Sequence, residues 1–115
     1  MAATDLDEVL DLLGDRTVRA ILVAATGEPR SAAEIAEACD IDPSTVYRHV
    51  DDLVAAGLLA EQTEIESDGS HHSLYETALD HLYVYLAADG FDGRIQVSQT
   101  PSERFTQIWD DIRQD

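Results

Sequence analysis

Ser31-Ala32-Ala33-Glu34-Ile35-Ala36, followed by Asp42-Pro43-Ser44-Thr45-Val46-Tyr47-Arg48-His49-Val50-Asp51-Asp52-Leu53-Val54-Ala55-Ala56-Gly57-Leu58-Leu59, is the stretch on which the fold turns. Ser31 and Glu34 have the Ser-x-x-Glu spacing of a capping box, in which a hydroxyl and a carboxylate each satisfy a free backbone N–H at a helix start. A short helix follows and ends near Cys39. Asp40-Ile41-Asp42-Pro43 is then a tight connection, because Asp42 can cap the next helix and proline suits its first position. That helix runs from Pro43 to about Ala56, with Val46, Val50, Leu53 and Val54 inward and Gly57 as its C-terminal stop. Two short capped helices joined by so brief a turn form a helix-turn-helix pattern.

Upstream, Leu6, Val9, Leu10 and Leu13 recur at the i, i+3, i+4, i+7 spacing of an amphipathic helix over Asp5–Leu13, which Gly14 ends. Asp15 caps a second helix through Thr26, with Val18, Ile21, Leu22 and Ala25 on one face and Gly27-Glu28-Pro29 as the stop. Downstream, Leu58–Ile65 and His71–Ala78 read as two strands around Ser67-Asp68-Gly69-Ser70. A two-residue turn at Asp68-Gly69 places Glu61 opposite Glu76, an unfavourable like-charge pair, so the register stays open. From Leu79 a helical spacing (Leu79, Leu82, Tyr83, Leu86) competes with alternation (Leu82, Val84, Leu86). Tyr83 and Tyr85 favour a strand, as does the Gly-rich link Asp89-Gly90-Phe91-Asp92-Gly93 leading into Arg94–Ser98. Thr100-Pro101-Ser102-Glu103 is another capping box, and the helix it opens, to Arg113, carries Phe105, Ile108, Trp109 and Ile112 on one face.

Helix, helix, helix-turn-helix, hairpin is the order of a winged helix, in which the second helix of the pair lies in the DNA major groove and the hairpin touches the flanking backbone. The expected fold is therefore α+β: a winged helix-turn-helix over residues 1–78, with an additional C-terminal β-hairpin and a terminal helix over 79–115. With Val46, Val50 and Leu53 committed to the core, Ser44, Thr45, Tyr47 and Arg48 fall on the outward side, with His49 at the margin. Arg48 can donate two hydrogen bonds to guanine, Ser44 and Thr45 can serve bases or phosphates, and Tyr47 offers a hydroxyl and an apolar ring. Arg30 and Ser31, just before the first helix of the pair, are further candidates for DNA contact.

These runs strongly resemble winged helix-turn-helix transcriptional regulators of the ArsR-like type, over about Val9 to Ala78. The acidic composition and the Arg104-Phe105 to Trp109 tail look like the haloarchaeal branch of that family. The resemblance implies a homodimer on a pseudo-palindromic double-stranded DNA operator, with Ser44, Thr45, Tyr47 and Arg48 in the recognition helix and Ser70, His71 and His72 in the wing. Metal-sensing members carry a Cys-x-Cys type motif, whereas this chain has Cys39 alone, so the resemblance does not extend to metal sensing.

Composition bounds the remaining choices. The chain has 115 residues, 24 Asp+Glu against 7 Lys+Arg, and a formal charge of -17. Every one of those cations is arginine. Acidity combined with periodic aliphatic segments reads as adaptation to concentrated salt in a halophilic archaeon, where screening acts within about 3 Å at ~1 M. A lone cysteine excludes an internal disulfide or a Cys-rich zinc site. No apolar run approaches the roughly 18 residues of a membrane span, and the start lacks a signal-peptide pattern, so a cytoplasmic protein is expected. There is no Gly-rich phosphate loop, nucleophile elbow or zinc-hydrolase spacing, so neither an enzyme nor a cofactor is expected. The rival reading is a winged-helix module that contacts proteins of the transcription or chromatin machinery. Leu6, Val9 and Leu10 on the first helix, with Phe105, Ile108, Trp109 and Ile112 on the last, are the candidates for a dimer interface.

Overall fold

Each helix starts where a side chain takes up free N–H groups. In the computed structural model, which describes residues 5–98, α1 (Leu6–Leu13) and α2 (Arg16–Ala24) begin at Asp5 and Asp15, whose carboxylates accept from the Asp7 and Thr17 amides. α3 (Ala32–Cys39) opens on the expected capping box: the Ser31 hydroxyl accepts from the Glu34 amide at 3.1 Å and Glu34 accepts from the Ser31 amide at 2.9 Å. α4 (Pro43–Ala55) starts with Asp42 accepting from the Ser44 amide and proline in the first turn. The helix expected over Thr100–Arg113, with Phe105, Ile108, Trp109 and Ile112, lies outside the described residues.

Both helices of the central pair end on a left-handed residue. After α4, Gly57 takes φ 81°, the Leu58 amide donates to the Leu53 carbonyl and the Gly57 amide to that of Val54. α3 ends in the same way with Asp40 at φ 56°, the Ile41 amide reaching back to Ala36. This double bond from the two residues past the helix is the Schellman arrangement, and glycine is its usual occupant. An aspartate there tolerates the left-handed region better than most side chains.

The core forms where α2, α3 and α4 meet the strands. Val18, Ile21, Leu22 and Ala25 from α2 and its end, Ala32, Ile35 and Ala36 from α3, and Val46, Val50 and Leu53 from α4 are buried together with Leu58, Leu59 and Tyr75. Three strands form one antiparallel sheet in the order β1 (Arg30–Ser31), β3 (His71–Thr77), β2 (Leu59–Ile65). β3 is tied to α2 at its end: the Thr77 amide donates to the Ala25 carbonyl at 2.9 Å and its hydroxyl to that of Leu22 at 2.6 Å. A second antiparallel pair, β4 (Leu79–Ala87) with β5 (Gly90–Val97), follows directly, with a register shift between Leu79 and His81.

Several expectations need correcting. The hairpin loop between β2 and β3 holds three residues, because the Glu66 amide donates to Ser70 and the Gly69 amide to Glu66, with Gly69 at φ 89°. A three-residue loop with a left-handed third position is a favoured hairpin closure. It places Glu61 opposite Tyr75 and Ala60 opposite Glu76, which removes the like-charge pair. The link expected over Asp89–Gly93 is mostly strand, since Ala87 pairs with Gly90 and β5 starts there. β1 was not expected. Its two residues are extended because the N-cap position of α3 demands β-region dihedrals, and they pair with Tyr75 and Leu74. Finally, the apolar face of α1 is not left over: Val9 is 1% exposed within the single chain, so it is withdrawn as a dimer-interface residue, while Leu6 and Leu10 stay partly exposed. Leu6 lies against β5, its Cδ1 methyl 2.5 Å from the point where a Cβ on Gly93 would be.

Candidate nucleic-acid interface

The outward side of α4 follows from its inward side. Val46, Val50 and Leu53 are buried, and a period of 3.6 residues then turns Ser44, Tyr47 and Arg48 to solvent, with Thr45 and His49 half-buried at the flanks. Tyr47 is 59% exposed, a large surface for an aromatic side chain. Arg48 is exposed and forms no ion pair with any described residue. Its five N–H donors are therefore available to an outside acceptor, and two of them match guanine O6 and N7.

The sheet places the other candidates unevenly. Arg30 and Ser31 on β1 stand beside Tyr75 and Leu74 of β3, but both are half-buried and engaged. The Arg30 guanidinium donates to Glu28 at 2.9 Å, and Ser31 serves as the cap of α3. Tyr75 shares its sheet face with His71, because strand residues alternate. Burial pushes the Tyr75 phenol up, and the neighbouring Glu61, Tyr47 and Asp51 add to the shift, which puts α4 close to that face. His71, with Ile65 opposite it and Thr63 and Ser73 next along the ladder, thus lies on the side of α4. His72 lies on the reverse side, opposite Glu64 and 3.7 Å from Glu66. At the tip the Ser70 amide and hydroxyl both donate to Asp68, at 2.9 and 2.7 Å, which holds that carboxyl below its ordinary range and occupies the serine.

Residues 13–62 match the model of a family described as a helix-turn-helix domain. The chain carries a helix-turn-helix domain. No curated protein matches it. With α3 and α4 as the helical pair and β2–β3 as the hairpin behind it, the architecture is that of a winged helix-turn-helix in the α+β class.

Around this domain the charges are mixed. Asp51, one turn past Tyr47 and Arg48, was not singled out in the sequence, although its spacing from Tyr47 places it on the same outward face. Cys39 is half-buried against the core, and burial raises its thiol above the ordinary value, which opposes thiolate reactivity. Among the described residues no group of three His, Cys, Asp or Glu side chains converges to hold a metal, and no helix is long and apolar enough to cross a membrane.

Proposed function

We propose that the chain is a sequence-specific double-stranded DNA-binding transcriptional regulator that acts as a homodimer in concentrated salt, of the ArsR-like haloarchaeal type. Residues 1–78 form its DNA-binding part and 79–115 its association part. The observation that carries the reading is the outer face of α4, where Ser44, Tyr47 and Arg48 stand exposed and Arg48 lacks any ion-pair partner among the described residues. The helix-turn-helix match supports the same reading. Thr45, His49 and His71 extend the contact surface on that side, while Arg30, Ser31 and Ser70 reach DNA only after giving up bonds they already make, and His72 stands on the reverse face beside Glu66. A regulator of this kind works where the DNA is, in the cytoplasm, and needs neither catalysis nor a cofactor.

A charge of -17 opposes binding to phosphate at low ionic strength. Basic proteins lose affinity steeply as salt rises because counterion release weakens. Here cations between acidic side chains and phosphates offset the repulsion, so affinity is expected to stay flat or increase with salt. The test selects operator fragments from genomic DNA at molar potassium chloride and compares the chain with Arg48→Ala. Loss of about 1–3 kcal/mol, with relaxed preference at one base position, is expected of a base-reading arginine. Unchanged retention in the variant would transfer the function to a protein partner.

A further inference from the structure

Among the described residues, the second hairpin carries most of the exposed large apolar side chains. Tyr83, Val84, Tyr85, Leu86 and Phe91 are all exposed, Leu86 at 75% and Phe91 at 64%. From His81 to Ala88 there is no carboxylate or arginine, on a chain that is acidic almost everywhere else. A two-stranded hairpin is marginal by itself. Strand alternation places Leu82, Val84 and Leu86 on one face with their cross-strand partners Ile95, Gly93 and Phe91. Leu6 of α1 covers that face at Gly93. The opposite face carries Tyr83 and Tyr85 with Arg94 and Asp92 as their partners.

The outer edge of β5 is free of strand partners among the described residues, since β5 pairs with β4 alone. The pairing of Ala87 with Gly90 around a two-residue turn makes Asp92 and Arg94 the residues bonded to β4. The N–H and C=O groups of Phe91, Gly93 and Ile95 then point outward. The Gly93 amide is met only by the Asp92 side chain of its own strand, at 2.8 Å.

On the homodimer reading above, we infer that two copies join edge to edge along β5, antiparallel, around a two-fold axis at Gly93. That register pairs Gly93 with the same residue of the second copy and Phe91 with Ile95, using all three outward backbone sites. It sets Asp92 of each copy against Arg94 of the other, at the closely spaced non-hydrogen-bonded positions of the ladder. Arg94 has no ion-pair partner among the described residues, so it is available for that contact. Shifting the register by two residues opposes Asp92 to Asp92 or Arg94 to Arg94, so the charges select one alignment. The product is a four-stranded sheet. One of its faces is a continuous band of Leu82, Val84, Leu86, Phe91 and Ile95 from both copies, with the two Leu6 side chains brought together over the seam. The contact is self-complementary, as a two-fold interface must be.

The test is a cross-linking experiment on the full chain in which Cys39→Ala removes the native thiol. One preparation carries Asp92→Cys and the other Arg94→Cys. Mixed in molar salt and treated with a mild oxidant, they are expected to give a disulfide-linked heterodimer at least roughly tenfold more abundant than either gives alone. Like positions lie about two residues out of register across the seam, beyond the ~7 Å limit for a disulfide. Sedimentation of the unmodified chain separates the possible failures. A dimer in solution with no excess of the mixed product overturns the β5 interface and leaves the homodimer standing. A monomer at all concentrations overturns both.

Discussion

The helix-turn-helix body and the β4–β5 hairpin are both rich in apolar residues, yet they use them in opposite ways. In the body, Ile21, Ile35, Val46, Leu53 and Leu58 reach almost zero exposure, because three amphipathic helices and the start of β2 enclose one volume. In the hairpin only the base, at Leu79 and Ile95, joins that volume, while the outer half leaves Leu86 and Phe91 in solvent. A helix needs one covering neighbour for its stripe, whereas a sheet of two strands presents two faces and two edges. The body encloses its core within the single chain, whereas the outer half of the hairpin leaves its apolar side chains in solvent.

The sharpest way to break this contrast is a truncation in each region. Leu53→Ala opens a cavity among α2, α3 and α4 and is expected to cost about 2–5 kcal/mol in equilibrium unfolding at molar salt. Gly57→Ala adds a methyl group that meets nothing within 4 Å, so its expected cost of about 1 kcal/mol measures only the left-handed backbone at φ 81°. Acid titration tests the exposed cap of α3. Glu34 is held below the ordinary 4.5, chiefly by its bond from the Ser31 amide. Its contribution is therefore complete above that value and vanishes as the pH falls through the lowered one. Glu34→Gln should remove this part of the acid loss in a pH series of melting curves. The smallest effect is expected in the hairpin. Leu86→Ala should change the unfolding of dilute single chains by no more than about 0.5 kcal/mol, and a larger loss would show that the hairpin is part of the body.

What could be read from the sequence followed the same division. The four helices of the described region, the caps at Asp15, Ser31 and Asp42, and the stop at Gly57 are local features, fixed by residues three or four apart, whereas the cap at Asp5 was not singled out. The outward set Ser44, Tyr47 and Arg48 was legible for the same reason, because a helix with a known inside has a known outside. The first hairpin's register was not, since it depends on whether two or three residues close the loop, a choice made by Gly69 and the Ser70–Asp68 bonds together. β1 escaped because two residues carry no period. The engagement of Arg30 with Glu28, two residues earlier, carries no pattern in the sequence, and the acidic surroundings of His72, opposite Glu64 and near Glu66, arise only when the strands are laid side by side. The exposure of the second hairpin had a faint signal in its uncharged run, but alternation alone does not say whether either face will be covered.

Thr77 fastens β3 to α2 at one end only, through two short bonds to the Leu22 and Ala25 carbonyls. Between its β1 and β2 neighbours the strand runs from this anchor at Thr77 to His71 some six residues away, a span of roughly 20 Å. A load at His71 is carried back to that anchor, where a tilt of a few degrees in α2 swings the tip by an ångström or more. On the proposed DNA-binding reading, the height of the wing is thus set at the far end of the strand, at Thr77.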